Sequence, residues 1–237
     1  MMKNSLIFAT LLGALALSAC DEGDIIERKP EVQTSGKVAK LTAYVTGVDS
    51  WSSPYSLVLA GFAENSDYAV IQKPLPNISA GNVTTTLRIG DDHISTIELC
   101  VTNRLGQRIL SFASASAGQI QGDTLHLEVG TVNVGMYKSI QDRVFTITCA
   151  RCHGLGNTPA GNLTLTGNES YASLVNHEAR RPENGIRVVP GDADASLLHK
   201  VIHGDADSGI NFDHSNMIKE SSIITLIDNW ISAGAKP

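Results

Sequence analysis

Cysteine is scarce in this chain, with four in 237 residues. No second closely spaced cysteine pair accompanies the first, so a structural zinc site built from two such pairs is excluded. The sequence also lacks a Ser-His-Asp set, a phosphate-cradling glycine loop and paired carboxylates in a convincing setting, which leaves hydrolytic and nucleotide chemistry without a footing. Positive charge is not in excess. The formal net charge is -6, which argues against a nucleic-acid partner. The apolar run from Leu6 to Leu17 is too short to span a bilayer as a stable helix. With 42% hydrophobic residues the chain can still bury one large core or two small ones.

What is present centres on Cys149-Ala150-Arg151-Cys152-His153. The spacing is C-x-x-C-H, the attachment signature of a covalent c-type haem. On a helix the two cysteines share a face, so each sulfur can meet one vinyl group of the same porphyrin. His153 follows directly, placed to be the proximal ligand of the iron. Three other chemistries fit the cysteine pair: a thioredoxin-like redox couple, half of a zinc site, and a plain disulfide of an exported protein. The motif occurs once, so a multi-haem enzyme is excluded within this chain.

The N-terminus points to export. Lys3 gives a small positive region ahead of the apolar run, and residues 1–19 are predicted to be a signal peptide. The run ends Leu17-Ser18-Ala19-Cys20, which resembles a bacterial lipobox and implies a lipidated Cys20. Acyl chains there would hold the protein at a membrane without a spanning helix. The segment 20–36 is acidic and ends in Ser35-Gly36, as expected of a flexible tether. The expected location is the bacterial cell envelope, at the periplasmic face or the outer surface.

Residues 37–136 carry strand signals. Ala39, Leu41, Ala43 and Val45 alternate with polar or exposed-type neighbours. Further strands are predicted at 55–63, 68–73, 83–89, 94–102, 108–112 and 124–129, separated by Gly, Pro, Asn and Asp. Strands at this spacing predict an antiparallel β-sandwich, immunoglobulin-like or transthyretin-like. Cys100 is expected to be a buried small hydrophobe in its strand. Trp51 and Tyr55 could form a patch for a polysaccharide or protein, or could simply pack.

Residues 138–237 change period. Ile140, Val144 and Ile147 predict one side of a helix entering Cys149, with Phe145 one turn before it and free to pack on a porphyrin edge. Asn162-Leu163-Thr164-Leu165, the helix-like Ser170–Val175, Val188-Val189-Pro190-Gly191-Asp192 leading to Ser196-Leu197-Leu198, and Trp230-Ile231-Ser232-Ala233-Gly234-Ala235 follow in that order. Together with C-x-x-C-H, this series resembles the planctomycete-type cytochrome c domain. The resemblance implies a small all-α cytochrome c-like domain over 138–237 and one covalent haem. It also implies a methionine ligand between the last two helices, where Met217 stands.

His199, His203 and His214 are the alternatives to Met217 as the second ligand to the iron. Arg180, Arg181 and Arg187 are candidates to pair with a haem propionate. The expected protein is therefore a lipid-anchored, single-haem carrier passing one electron at a time between redox partner proteins, rather than a catalyst. The alternative is a binding lipoprotein whose β-sandwich recognises a polysaccharide or protein, with the haem an accessory or a sensor.

Overall fold

Alternate side chains of β1 (Val38–Thr46) turn inward, and Ala39, Leu41, Ala43 and Val45 are all but inaccessible to solvent. The period of two that a pleated strand imposes is thus used in full. The computed structural model describes residues 36–237, apart from 91, 92, 155, 157 and 184. The signal peptide, Cys20 and all but the last residue of the expected tether lie outside the described residues.

Six more strands follow: β2 (Ser56–Ala63), β3 (Ala69–Pro74), β4 (Ala80–Arg88), β5 (Ile94–Thr102), β6 (Arg108–Ser116) and β7 (Thr124–Asn133). They lie where the alternation predicts them, with ends shifted by a few residues. They form a three-stranded sheet in the order β4-β1-β7 and a four-stranded sheet in the order β3-β2-β5-β6. The arrangement departs from an all-antiparallel sandwich, because β7 runs parallel to β1. Alternation fixes which face a side chain takes, not the direction of the neighbouring strand. The β1–β7 ladder also skips a residue where Ala43 pairs with Gly130. Gly130 takes a φ of 68°, the left-handed conformation that a glycine supplies at a bulge.

Leu41, Val45 and Leu127 of one sheet and Leu57, Leu59, Leu99 and Val101 of the other belong to one apolar cluster. The opposite face of the second sheet carries a smaller apolar cluster. Val58, Ala60, Phe62 and Cys100 lie there, and the Arg108 guanidinium sits 4.8 Å from the Phe62 ring centroid. Arg108 bridges Glu98 and Asp67, each at 2.6 Å. Glu98 is only 4% exposed, and its second oxygen has no hydrogen-bond partner among the described residues. Arg108→Met is therefore expected to cost about 3–5 kcal/mol by stranding a buried carboxylate. Urea unfolding would measure the loss, and adding Glu98→Gln should recover part of it. Burial, then the Glu98 charge, pushes the Cys100 thiol up to about 12, so this cysteine is inert, as expected.

The C-terminal segment is not an all-α cytochrome c-like domain. One continuous helical stretch of three parts opens it: α1 (Met136–Ile140), a π-helical segment (Gln141–Cys149) and α2 (Ala150–His153). After it come α3 (Ser170–Leu174), α4 (Leu197–Ile202) and α5 (Ser221–Ser232), joined by turns, short 3-10 pieces and isolated bridges. The physical reason lies in composition. Glycines and prolines crowd 154–191, and Gly161, Asn162, Gly167, Asn176 and Gly191 all take positive φ, which ends any helix that starts there. Among the described residues no helix is long and apolar enough to cross a membrane.

Residues 36–237 make up one compact unit. Met136, Ile140, Phe145, Leu226 and Trp230 belong to the same apolar cluster as the strand residues. Polar bonds close the junction. Ser50 Oγ accepts from the Met136 amide at 2.8 Å, and Trp51 Nε1 donates to the Val134 carbonyl at 2.6 Å. Asn229 Nδ2 donates to Tyr55 Oη at 2.9 Å. Trp51 and Tyr55, edge to face at 5.8 Å, are thus joint residues between strands and helices.

Candidate functional site

The π-helical segment sets the orientation of the C-x-x-C-H run. Its wider turn buries Ile140, Val144 and Phe145 together and swings Ile147 outward, where it is 56% exposed. An α-helical spacing would have kept Ile147 on the buried side, so that expectation is corrected. Phe145 is corrected too. It is fully buried, 6.3 Å from the Tyr137 ring, and belongs to the core rather than to a cofactor edge. π-Helical turns are rare and concentrate at functional positions.

Cys149 closes the π segment, half-buried, and Cys152 stands exposed on α2. Both are free thiols. Burial, then the neighbouring Cys152, pushes Cys149 up to about 11. This is opposite to the lowered pKa of a thiol-disulfide exchange cysteine, which works as a thiolate. Gly154 follows the run in extended conformation, and a Cβ there would collide with the Ala150 carbonyl oxygen.

His153 is held from two sides. Its Nδ1 lies 2.8 Å from the Ala160 carbonyl oxygen, which calls for the Nδ1–H tautomer and leaves Nε2 free as a ligand. Its own carbonyl accepts from the Leu165 amide at 2.6 Å. The Leu165 carbonyl in turn accepts from Gln141 Nε2 at 3.0 Å. Arg187, 5% exposed, supports the same loop from behind. It donates to the carbonyls of Gly161 and Asn162, each at 3.1 Å, and of Ser173 at 2.7 Å. Arg187 is therefore a loop clamp that no local sequence signal announced. Burial lowers the His153 pKa from its ordinary value. The Ala160 bond opposes that shift, while His214 and Arg187 add to it.

Of the sequence-predicted second ligands, His214 is brought beside His153. The His214 ring lies 6.2 Å from that of His153, with the ring planes 21° apart. His214 Nδ1 is 2.9 Å from the Phe212 carbonyl oxygen, so its Nε2 is also free to ligate. The Met217 amide donates to the His214 carbonyl at 3.0 Å, so the Met217 backbone lies on the same turn, and the residue is 38% exposed. His199 and His203 are engaged elsewhere, each bonded at 2.8 Å to Asp228 of α5. Their spacing of four, His199 on α4 and His203 directly after its last residue, is visible in the sequence; Asp228 is joined to them only by the fold. The other methionine beyond the N-terminal region, Met136, is buried in the core.

The residues fit a covalent haem. Two thiols and an imidazole with a free Nε2 stand on one helical stretch. Ile147, two residues before Cys149, and Phe212, 4.9 Å from the His214 ring, are exposed apolar side chains that a flat apolar cofactor would help to cover. Comparison with protein-family models, with curated proteins and with solved structures finds no match to this chain.

Proposed function

We propose that the chain is an exported, lipid-anchored carrier of one c-type haem that passes single electrons between partner proteins. The observation that carries this reading is the C-x-x-C-H run on one helical stretch, with His153 Nδ1 tied to the Ala160 carbonyl and its Nε2 free. The cysteines of such a run each add a thiol S–H across one vinyl double bond, so two thioethers form and no oxidant is consumed. His153, through its Nε2, would hold the iron of such a haem. When bound, the haem supplies a reversible one-electron couple.

Met217 is the proposed second axial ligand, and a thioether there would raise the potential relative to an imidazole. His214, the imidazole beside His153, is its competitor. The alternative of a binding lipoprotein would draw on the Trp51–Tyr55 pair, but both side chains are bonded into the junction.

The test is an absorption spectrum of chain produced with c-type haem maturation machinery. A haem spectrum that survives acid-acetone extraction supports the reading; a chain that emerges without covalent haem overturns it. Met217→Ala is expected to abolish the weak far-red band of the ferric form, while His214→Ala leaves it in place. A six-coordinate ferric form that lacks this band in the wild type, and loses its sixth ligand in His214→Ala, would assign His214 as the ligand.

A further inference from the structure

A second cluster of metal-ligating side chains stands between α4 and α5. His199 and His203 are one turn apart, with ring centroids 4.2 Å apart. Asp228 faces them from α5, its Oδ1 2.8 Å from His199 Nδ1 and its Oδ2 2.8 Å from His203 Nε2. One ligand atom from each of the three residues lies within 4.8 Å of the others. We infer that His199, His203 and Asp228 form a three-donor site for a divalent transition-metal ion of the zinc class, which links α4 to α5.

The spacing suits the ion. Donors at about 2.0–2.2 Å from a four-coordinate zinc lie about 3.3–3.6 Å apart. To admit it, the 2.8 Å contacts to Asp228 would open by about half an ångström, and the widest donor separation, within 4.8 Å, would close by about 1 Å through side-chain rotation. The side chains can yield that much, being 23%, 43% and 22% exposed for His199, His203 and Asp228. Two imidazole nitrogens and a carboxylate select zinc, nickel or copper over the all-oxygen preference of magnesium or calcium. Three protein ligands leave a fourth position for water.

The surroundings agree with this chemistry. Asp194 Oδ1 lies 3.7 Å from His199 Nε2, on the side away from the proposed ion. At that distance, and with an exposed side chain, Asp194 makes no hydrogen bond to the ring and contributes only its negative charge. The ion-pair partners of Asp228 are His199 and His203, and that of Asp194 is His199. With neutral imidazoles, the two carboxylates present a charge that a divalent cation balances.

This site does not depend on the haem reading, and the test separates the two. Zinc sulfate would be titrated calorimetrically into the wild-type chain and into Cys149→Ser/Cys152→Ser, each with and without His203→Gln. One equivalent should bind to both backgrounds. His203→Gln, a surface substitution, should weaken binding more than about a hundredfold in each. Zinc should raise the melting temperature of the wild type and leave that of His203→Gln unmoved, and it should shift the His199 and His203 ring resonances. Absence of zinc binding to the wild type would overturn the inference. So would binding that persists in His203→Gln and disappears with the two cysteines, since the ion would then sit at the C-x-x-C-H run.

Discussion

Cys149→Ser combined with Cys152→Ser is expected to leave no haem on the denatured chain, a complete loss rather than a reduction. Each sulfur supplies one of the two thioethers, so either single variant should retain a fraction of the covalent haem and the double variant none. The other described cysteine gives the control. Cys100 is fully buried in β5, and Cys100→Ala should keep the wild-type haem content. The strands should survive the double substitution, because the core built on Leu41, Leu59, Ile97 and Leu99 draws on both sheets and not on the cysteine pair. Far-UV circular dichroism would therefore keep its β signature while haem staining on a denaturing gel vanishes. The C-terminal segment should suffer more. Ile147 and Phe212, 56% and 60% exposed, would have no apolar cover, and burial of such surface is worth about 25 cal/mol per Å². Covalent haem persisting in the double variant would remove the basis of the proposed function.

The strands were legible because a half-buried strand writes its period of two directly into the sequence, as Ala39, Leu41, Ala43 and Val45 do. The last helix was legible for a related reason. Ile223, Leu226, Ile227, Trp230 and Ile231 recur at three and four, and Gly234, with a φ of 97°, ends the run. Three things escaped. The parallel pairing of β1 with β7 depends on how the chain crosses between sheets, which no local pattern records. The π-helical register from Gln141 to Cys149 needs bonds five residues apart, and Val144 and Ile147 fit an α-helical spacing equally well on paper. The expected helical domain failed because the sequence between its landmarks is dense in residues that favour turns over helix. The site followed the same division. Cys149, Cys152 and His153 are adjacent in sequence and were read at once. The Ala160 carbonyl is backbone, and Asp228 meets His199 across 29 positions, so neither has a sequence signature.

Arg187→Ala is expected to have the second-largest effect, because one buried guanidinium holds three backbone carbonyls. Bonds from a charged donor contribute about 1.5–3 kcal/mol each, though their losses do not simply add. A destabilisation of about 3 kcal/mol or more should appear in urea unfolding. A purely structural clamp would stop there, but Arg187 reaches further. Two of its acceptors, Gly161 and Asn162, directly follow Ala160, whose carbonyl fixes the His153 ring. Freed from the clamp, that loop should hold the imidazole less firmly, and the bond at Nδ1 governs the basicity of a ligating histidine. The positive charge of Arg187 also helps to keep His153 in its neutral form, the form that ligates a metal. Arg187→Ala should therefore shift the reduction potential of the loaded protein or broaden its titration, in addition to weakening the fold. Arg187→Lys should not rescue it, since a single ammonium cannot span carbonyls on two segments as a planar guanidinium does. A variant with wild-type stability would show that the loop is held by the Leu165 and Gln141 bonds alone. One that is destabilised but unchanged in potential would confine Arg187 to packing.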